Sequence, residues 1–193
     1  MSDENALDTA DVVNKVNPDF VRIRTFVAKA VKMDANPSDD NSVGEIKKCT
    51  GAGDNSGDIR VCTGAGNNSA GEIRECTDRE KALELKKMIE NINVDSVDGY
   101  LYSDHIVNLF ETVNGSIKTE RAKMLSVFDD FLALGAAEQR AYQVARRMDM
   151  VRSLSNMPFL SGEQREKIDS YLSRLESEAE FEAFLSRLLR QYI

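Results

Sequence analysis

The chain has 193 residues, of which 41% are hydrophobic and 30% are charged, which is enough for one domain with a sizeable core. Its net charge of -8 disfavours binding to nucleic-acid backbones and to anionic lipid. No segment reaches the roughly 18 apolar residues of a membrane span. The acidic start, MSDENALDTADVV, lacks the features of a secretory signal. We therefore expect a cytoplasmic protein, or one delivered to a host cell without a cleaved signal peptide.

The N-terminal part of the chain predicts a short tail followed by a helix. Residues 1–16 are acidic and show no clear apolar stripe, so we expect a flexible acidic tail. A single helical domain should then occupy residues 17–193. Asn17 can cap a helix, Pro18 suits its first position and Asp19 suits its positive end. Apolar residues follow at helical spacing and predict a helix that ends near residue 33: Phe20, Ile23, Val27 and Val31.

A tandem repeat then occupies residues 44–77, with units GEIKKCTGAGDNS, GDIRVCTGAGNNS and GEIRECT. Each complete unit joins a β-prone piece to a Gly-Ala-Gly segment rich in turn-forming residues. One interpretation is a flexible inserted loop, because each unit offers little apolar surface to offset chain entropy. The other is a small β-meander in which Ile46, Ile59 and Ile73 face the helices.

Each repeat unit carries one cysteine: Cys49, Cys62 and Cys76. With His105, the only histidine, they would complete a Cys₃His zinc set. Structural zinc sites, however, bring cysteines in close C-x₂₋₄-C pairs, which are missing here. A redox pair is a second alternative with equally weak support. We therefore predict no metal ion, no cofactor and three free thiols. The Gly-Ala-Gly segments also lack the lysine and the following helix of a phosphate-binding loop.

The remainder of the chain, residues 78–193, predicts five or six amphipathic helices joined by short turns. Capping boxes mark three helix starts, at Thr77, Ser161 and Ser177. A short helix should follow Ser103 and end before Asn114, and another should span about 136–154. Such helices commonly pack as a bundle. The predicted fold is mainly α: a single helical bundle of about six helices, with a Gly-rich repeat loop or small β-meander inserted at 44–77.

The stretch 117–153 is the least acidic part of the chain. It suggests an alternative function, a small helical regulator that binds nucleic acid through this surface. We favour the simpler interpretation, solvated helix faces, because acidic residues alternate with the basic ones. The basic residues concerned are Arg121, Lys123, Arg140, Arg146, Arg147 and Arg152.

The C-terminal helix has an apolar stripe at helical spacing that continues almost to the last residue: Phe181, Phe184, Leu185, Leu188, Leu189 and Tyr192. One interpretation is that the stripe packs within the chain, beside Tyr171 and Leu175. The other is that it binds a protein partner or a second copy, because helix-in-groove binding uses this spacing. Either interpretation gives the stripe an apolar surface to dock on.

No group of residues in the sequence forms a recognisable catalytic motif, and no small-molecule substrate is indicated. Asp129 and Asp130, for example, are neighbours on a predicted helix and so point apart. We therefore expect a non-enzymatic interaction or assembly protein. It would be a structural or host-interaction component of a virus, phage or pathogen, for instance a virulence or virion component, or else a bacterial adaptor.

Overall fold

A computed structural model describes residues 3–25, 58–63, 65–67, 73–105 and 108–192. The chain is mainly helical, as predicted. The α-helices of these residues are α1 (Asp3–Val16), α2 (Asp78–Glu90), α3 (Ile117–Ala133), α4 (Ala136–Arg147), α5 (Gly162–Leu172) and α6 (Glu178–Leu189). Two 3₁₀ turns span Leu154–Phe159 and Arg190–Tyr192. No helix in the described ranges is long and apolar enough to cross a membrane.

Short strands accompany the helices. They are β1 (Phe20–Thr25), β2 (Asp58–Thr63), β3 (Ala65–Asn67), β4 (Ile73–Glu75), β5 (Tyr100–Tyr102) and β6 (Gly115–Ser116). Four of them form a sheet in the order β2-β1-β5-β6, in which β2 and β5 both run parallel to β1, and β6 runs antiparallel to β5. Strands β3 and β4 form a separate antiparallel pair. This mixed sheet was not predicted, and the expected arrangement as a simple helical bundle is not confirmed.

The predicted flexible tail is wrong for residues 3–16, which form helix α1. Small apolar residues recur on one face of this helix, and Ala6, Ala10 and Val13 are buried. The stripe was missed because alanine is small and contributes little to an apolar pattern. Asn14 also ties the helix to the end of α2, since its side chain donates to the Asn91 carbonyl and accepts from the Asn93 N–H.

The helix predicted to begin at Asn17 is wrong over residues 20–25, which form β1. Asn17 ends α1 instead of starting a new helix: its φ is 44°, and its N–H donates to the Val13 carbonyl. A left-handed residue followed by proline is a common helix end. Beyond it, Val21 and Ile23 are buried on either side of half-buried Arg22, which is the two-residue period of a strand. The remainder of the predicted helix lies outside the described residues.

The described parts of the repeat form strands, so the flexible-loop interpretation is not confirmed. The second unit supplies β2, which pairs in parallel with β1 so that Ile59 lies opposite Val21. The third unit supplies β4, which pairs with β3 of the second unit. This pairing differs from the small β-meander of the alternative interpretation. Ile46 and Cys49 of the first unit lie outside the described residues.

The three predicted capping boxes, at Thr77, Ser161 and Ser177, are confirmed at the starts of α2, α5 and α6. The short helix predicted after Ser103 is wrong over the described residues: turns occupy 109–112, and β5 precedes them. Gly99 explains why a strand fits here. A Cβ on Gly99 would lie 2.2 Å from the Pro18 carbonyl oxygen, so only glycine allows β5 to approach the start of β1 this closely.

The core draws buried side chains from β1, β5 and all six α-helices of the described residues. Its centre is aromatic: Phe110 meets Phe128 and Phe131 edge to face, with ring centroids 4.9 and 5.2 Å apart. The buried Tyr142 of α4 packs beside Phe131, and its hydroxyl donates to the Leu109 carbonyl at 3.1 Å. The loop after β5 is therefore fixed to α3 and α4 by both packing and a hydrogen bond.

Candidate partner-binding surface

Helix α6, the predicted partner-binding site, packs largely against its own chain. Phe181, Leu185 and Leu189 are buried, while Phe184 and Leu188 are half-buried. The Phe184 ring lies 5.4 Å from the Tyr171 ring of α5. Three of the six predicted contact residues are thus in the interior. Tyr192 belongs to the last 3₁₀ turn, and its side chain lies outside the described part.

Arg140 of α4 adds a polar clamp to this packing. Its guanidinium lies 5.0 Å from the centre of the Phe181 ring, a cation–π geometry. The same guanidinium pairs with Glu178 in the first turn of α6. Aromatic packing and an ion pair therefore hold the start of α6 on α4, and this arrangement favours the intramolecular interpretation of the apolar stripe.

The basic residues of 117–153 do not form one exposed surface. Arg146 and Arg147 are only 2% and 3% exposed. Arg146 pairs with Glu111 at 2.6 Å, and Arg121 donates to the Ile89 carbonyl at 3.0 Å. These guanidinium groups hold parts of the chain together instead of facing solvent. Among the residues the structure describes, nothing specifically favours the nucleic-acid alternative.

The cysteines and the histidine considered above as an alternative zinc set are not brought together in the described residues. Cys76 is a buried thiol directly before the start of α2, and Cys62 belongs to β2. Cys49 lies outside the described ranges. Within those ranges, no group of three or more His, Cys, Asp or Glu side chains is placed to hold a metal ion.

A buried ionic group, here called the Asp78 cluster, joins α2 to α4. It consists of Asp78, Lys81, Gln143 and Arg147. The Arg147 guanidinium donates to both Asp78 carboxylate oxygens at 3.0 Å, and the Lys81 ammonium lies 3.3 Å from one of them. Burial alone would raise the pKa of Asp78, but the Arg147 and Lys81 charges outweigh it and hold this pKa below its ordinary value. The carboxylate is therefore ionised in the interior.

Glu182 of α6 lies close to the Asp78 cluster. Its partial burial, reinforced by the negative charge of Asp78, raises the pKa of Glu182 to about 7. Glu178 and Glu80 add to the rise, whereas Lys81 opposes it. A carboxyl group with this pKa changes its charge near neutral pH, so the contribution of Glu182 to stability depends on pH in the physiological range.

The most exposed large apolar side chain of the described residues is Phe159, at 83%. It ends the 3₁₀ turn Leu154–Phe159, called here the Phe159 turn, which links α4 to α5. Its neighbour Leu160 is 8% exposed, and Leu154 and Met157 pack against the core. The turn is therefore anchored by its flanking apolar side chains, while the phenyl ring is left in solvent.

Hydrogen bonds fix both ends of the Phe159 turn. At its start, the Asn156 side chain accepts from the Ser153 N–H at 3.1 Å. At its end, the Arg165 guanidinium of α5 donates to three backbone carbonyls, those of Met157 at 3.2 Å, Pro158 at 2.7 Å and Leu160 at 3.2 Å. A guanidinium that bridges three carbonyls restricts the backbone on which Phe159 is presented.

The sequence interpretation did not identify Phe159 as a site residue, because it lies beyond the helix predicted over about 136–154 and belongs to no apolar stripe. The available signal was local: an aromatic residue that directly follows proline, just before the Ser161 cap, outside any apolar period. No protein-family model, curated protein or solved structure matches this chain. The function must therefore be argued from the surface itself.

Proposed function

We propose that this chain is a non-enzymatic interaction or assembly protein that binds a protein partner through the Phe159 turn. The observation that carries the proposal is an almost fully exposed phenyl ring on a backbone held in place by Arg165. Exposed apolar side chains are common, but a large aromatic at 83% exposure costs solubility and offers no packing in return. Such a side chain is best explained by a partner that buries it.

The energetics support an anchor role. A phenylalanine side chain that becomes buried removes about 150–250 Å² from water. At about 25 cal/mol/Å², that corresponds to roughly 4–6 kcal/mol before the costs of association are subtracted. Because the turn is already ordered, little further entropy is lost when Phe159 binds. Aromatic anchors of this kind typically dominate the binding energy of an interface.

Helix α6 supplies a second, weaker surface. Phe184 and Leu188 are half-buried, so part of the stripe remains accessible for self-association or for the same partner. In biological terms, we propose a structural or host-interaction component of a virus, phage or pathogen, or a bacterial adaptor. The support for this assignment is the same: an acidic helical protein that presents an aromatic anchor.

The test compares Phe159→Ala with the parent chain in affinity capture and mass spectrometry, followed by calorimetry on the partner found. We expect Phe159→Ala to weaken binding by at least about 30-fold, which corresponds to a loss of about 2 kcal/mol. Tyr100→Ala is the matched control, because Tyr100 is a half-exposed aromatic on β5, and it should bind like the parent. Equal affinity of Phe159→Ala and the parent for every captured partner would refute the proposed anchor.

A further inference from the structure

A small cavity of about 10 Å³ lies between β1, α2 and the loop after β5. Its apolar walls come from Ile23 of β1, Leu85 of α2, and Leu109 and Phe110 of the loop. All four side chains are buried, with exposed fractions of 4% or less. A molecule in this cavity is therefore surrounded by the interior of the protein, and it contacts the side chains of three separate elements.

Three buried polar side chains line the same cavity: Lys81, Ser103 and Asn108. The Asn108 amide donates to the Ile23 carbonyl at 2.9 Å and to the Ser103 hydroxyl oxygen at 3.1 Å. A hydroxyl that accepts one hydrogen bond keeps its own hydrogen for donation and a second lone pair for acceptance. The Lys81 ammonium has three N–H donors and contacts one Asp78 oxygen at 3.3 Å. Both groups therefore retain hydrogen-bonding capacity beyond these contacts.

The size and the polarity of the cavity together select its occupant. A buried water molecule needs a cavity of at least about 10–15 Å³ and polar groups with which to form hydrogen bonds. The cavity is just large enough for one water and too small for any organic molecule. Empty cavities in proteins are lined by apolar side chains alone, whereas this one is lined by an ammonium group and a hydroxyl group. Unused donors of buried polar groups are costly, and a water molecule satisfies them.

We propose that this cavity binds a single water molecule, which accepts hydrogen bonds from the Lys81 ammonium and from the Ser103 hydroxyl. The Asn108 amide already joins Ser103 to the Ile23 carbonyl of β1. The water thus extends this hydrogen-bonded chain from the sheet to Lys81 of α2, and through Lys81 to the Asp78 cluster. It is a structural ligand of the interior, and its site is separate from the Phe159 turn.

The test is oxygen-17 magnetic relaxation dispersion of the full chain, which counts the water molecules that stay bound much longer than surface waters do. Ser103→Thr keeps the hydroxyl and adds a methyl group to the cavity, so it should displace the water and lower the count by one. Lys81→Met removes the ammonium donor and should lower the count in the same way. Ser126→Thr adds the same methyl group at an exposed position of α3 and is the matched control, for which the count should be that of the parent.

An equal count in the parent and in Ser103→Thr would overturn the proposal, and a higher Tm of that variant would then show that its methyl group fills a dry space. A count in the parent that falls when sodium chloride replaces sodium sulfate would assign the cavity to chloride and would equally overturn it. If neither variant folds, cross-relaxation between water and the Leu109 and Phe110 amides of the parent decides. Cross-peaks with the sign of a long-lived water support the site, and their absence refutes it.

Discussion

Phe181 and Phe159 are the same residue type in neighbouring parts of the chain, yet their environments are opposite. Phe181 is 1% exposed, beneath Arg140 and next to α4, whereas Phe159 is 83% exposed at the end of a 3₁₀ turn. The first belongs to a helical apolar stripe, and the second stands outside any period. The comparison teaches that a regular apolar stripe chiefly reports burial within the chain, whereas the isolated aromatic on an ordered turn stays in solvent and is the side chain we propose for partner contact.

The largest expected difference is in stability when each ring is removed. Phe181→Ala should lower the free energy of unfolding by about 3–5 kcal/mol, because it leaves a cavity under α6 and removes the cation–π contact of Arg140. Phe159→Ala should change it by less than about 0.5 kcal/mol. Urea denaturation followed by circular dichroism measures both. Similar losses of unfolding free energy for the two variants would show that Phe159 is also packed in solution. That result would contradict the difference between the two rings.

The packing of α4 on α2 depends on the Asp78 cluster, because Arg147 lies in the last turn of α4 and Asp78 in the first turn of α2. Asp78→Asn removes the buried carboxylate charge that the Arg147 guanidinium and the Lys81 ammonium both contact, and it should cost about 3–5 kcal/mol. Asp129→Asn is the control: it removes an exposed partner of Lys86 and should cost less than about 1 kcal/mol. If both variants lose the same free energy in urea titrations, the cluster contributes no more than a surface pair.

Glu182 lies on α6, the same helix as buried Phe181, and it makes the stability of the fold depend on pH. Its pKa is about 7 in the folded chain, above the ordinary 4.5, so the folded state binds its proton more tightly than the unfolded state does. The resulting stability is present at low pH and is lost as the pH rises from about 4.5 through 7. Glu182→Gln keeps a neutral side chain, so its advantage over the parent should grow to about 1 kcal/mol at pH 8, a value reduced for partial exposure.

Urea titrations of Glu182→Gln and the parent at pH 5 and pH 8 check this expectation. Glu84 of α2 is a useful companion, because burial also raises its pKa to about 7 while it lies on a different helix from Glu182. Glu84→Gln should therefore show the same trend, and the double variant should show the sum. A constant difference between Glu182→Gln and the parent at both pH values would contradict the assigned pKa.

A small stability effect is expected for Arg165, whose guanidinium orders the Phe159 turn. Arg165→Ala removes three hydrogen bonds to the Phe159 turn, but the guanidinium is solvent-accessible, so we expect a loss of only about 1 kcal/mol. Partner binding should fall about tenfold, because Phe159 must then be ordered at the moment of binding. Lys167→Ala, in the same helix, is the control. Unchanged binding of Arg165→Ala would show that pre-ordering of the turn does not contribute.

Several elements of the fold could be predicted because their signals are local. The capping boxes at Thr77, Ser161 and Ser177 depend on residues only three positions apart, and they are confirmed. The mainly helical character also follows from apolar spacing in α2, α3, α5 and α6. Asn17-Pro18 was misinterpreted because asparagine and proline suit both ends of a helix boundary, and only the left-handed φ of Asn17 decides between them.

The rest could not be predicted because it depends on contacts between distant segments. Strand β5 exists because Gly99 admits the Pro18 carbonyl, which lies far away in sequence. Arg147 seemed to belong to a solvated helix face, and only its pairing with Asp78 explains its burial. The exposure of Phe159 likewise depends on how α5 and the core flank the turn. A single sequence shows the side-chain types in each case but not the partner that decides between burial and exposure.

The modification rate of the buried Cys76 thiol can report how often the start of α2 opens. Cys76 lies two residues before Asp78 and is 2% exposed, so an alkylating reagent reaches it only when the start of α2 opens transiently. In a chain carrying Cys49→Ser and Cys62→Ser, the modification rate of Cys76 would report the frequency of that opening without any added label. A rate slowed by a bound partner at constant pH would then show that binding reaches this part of the protein, on a time scale that equilibrium unfolding does not record.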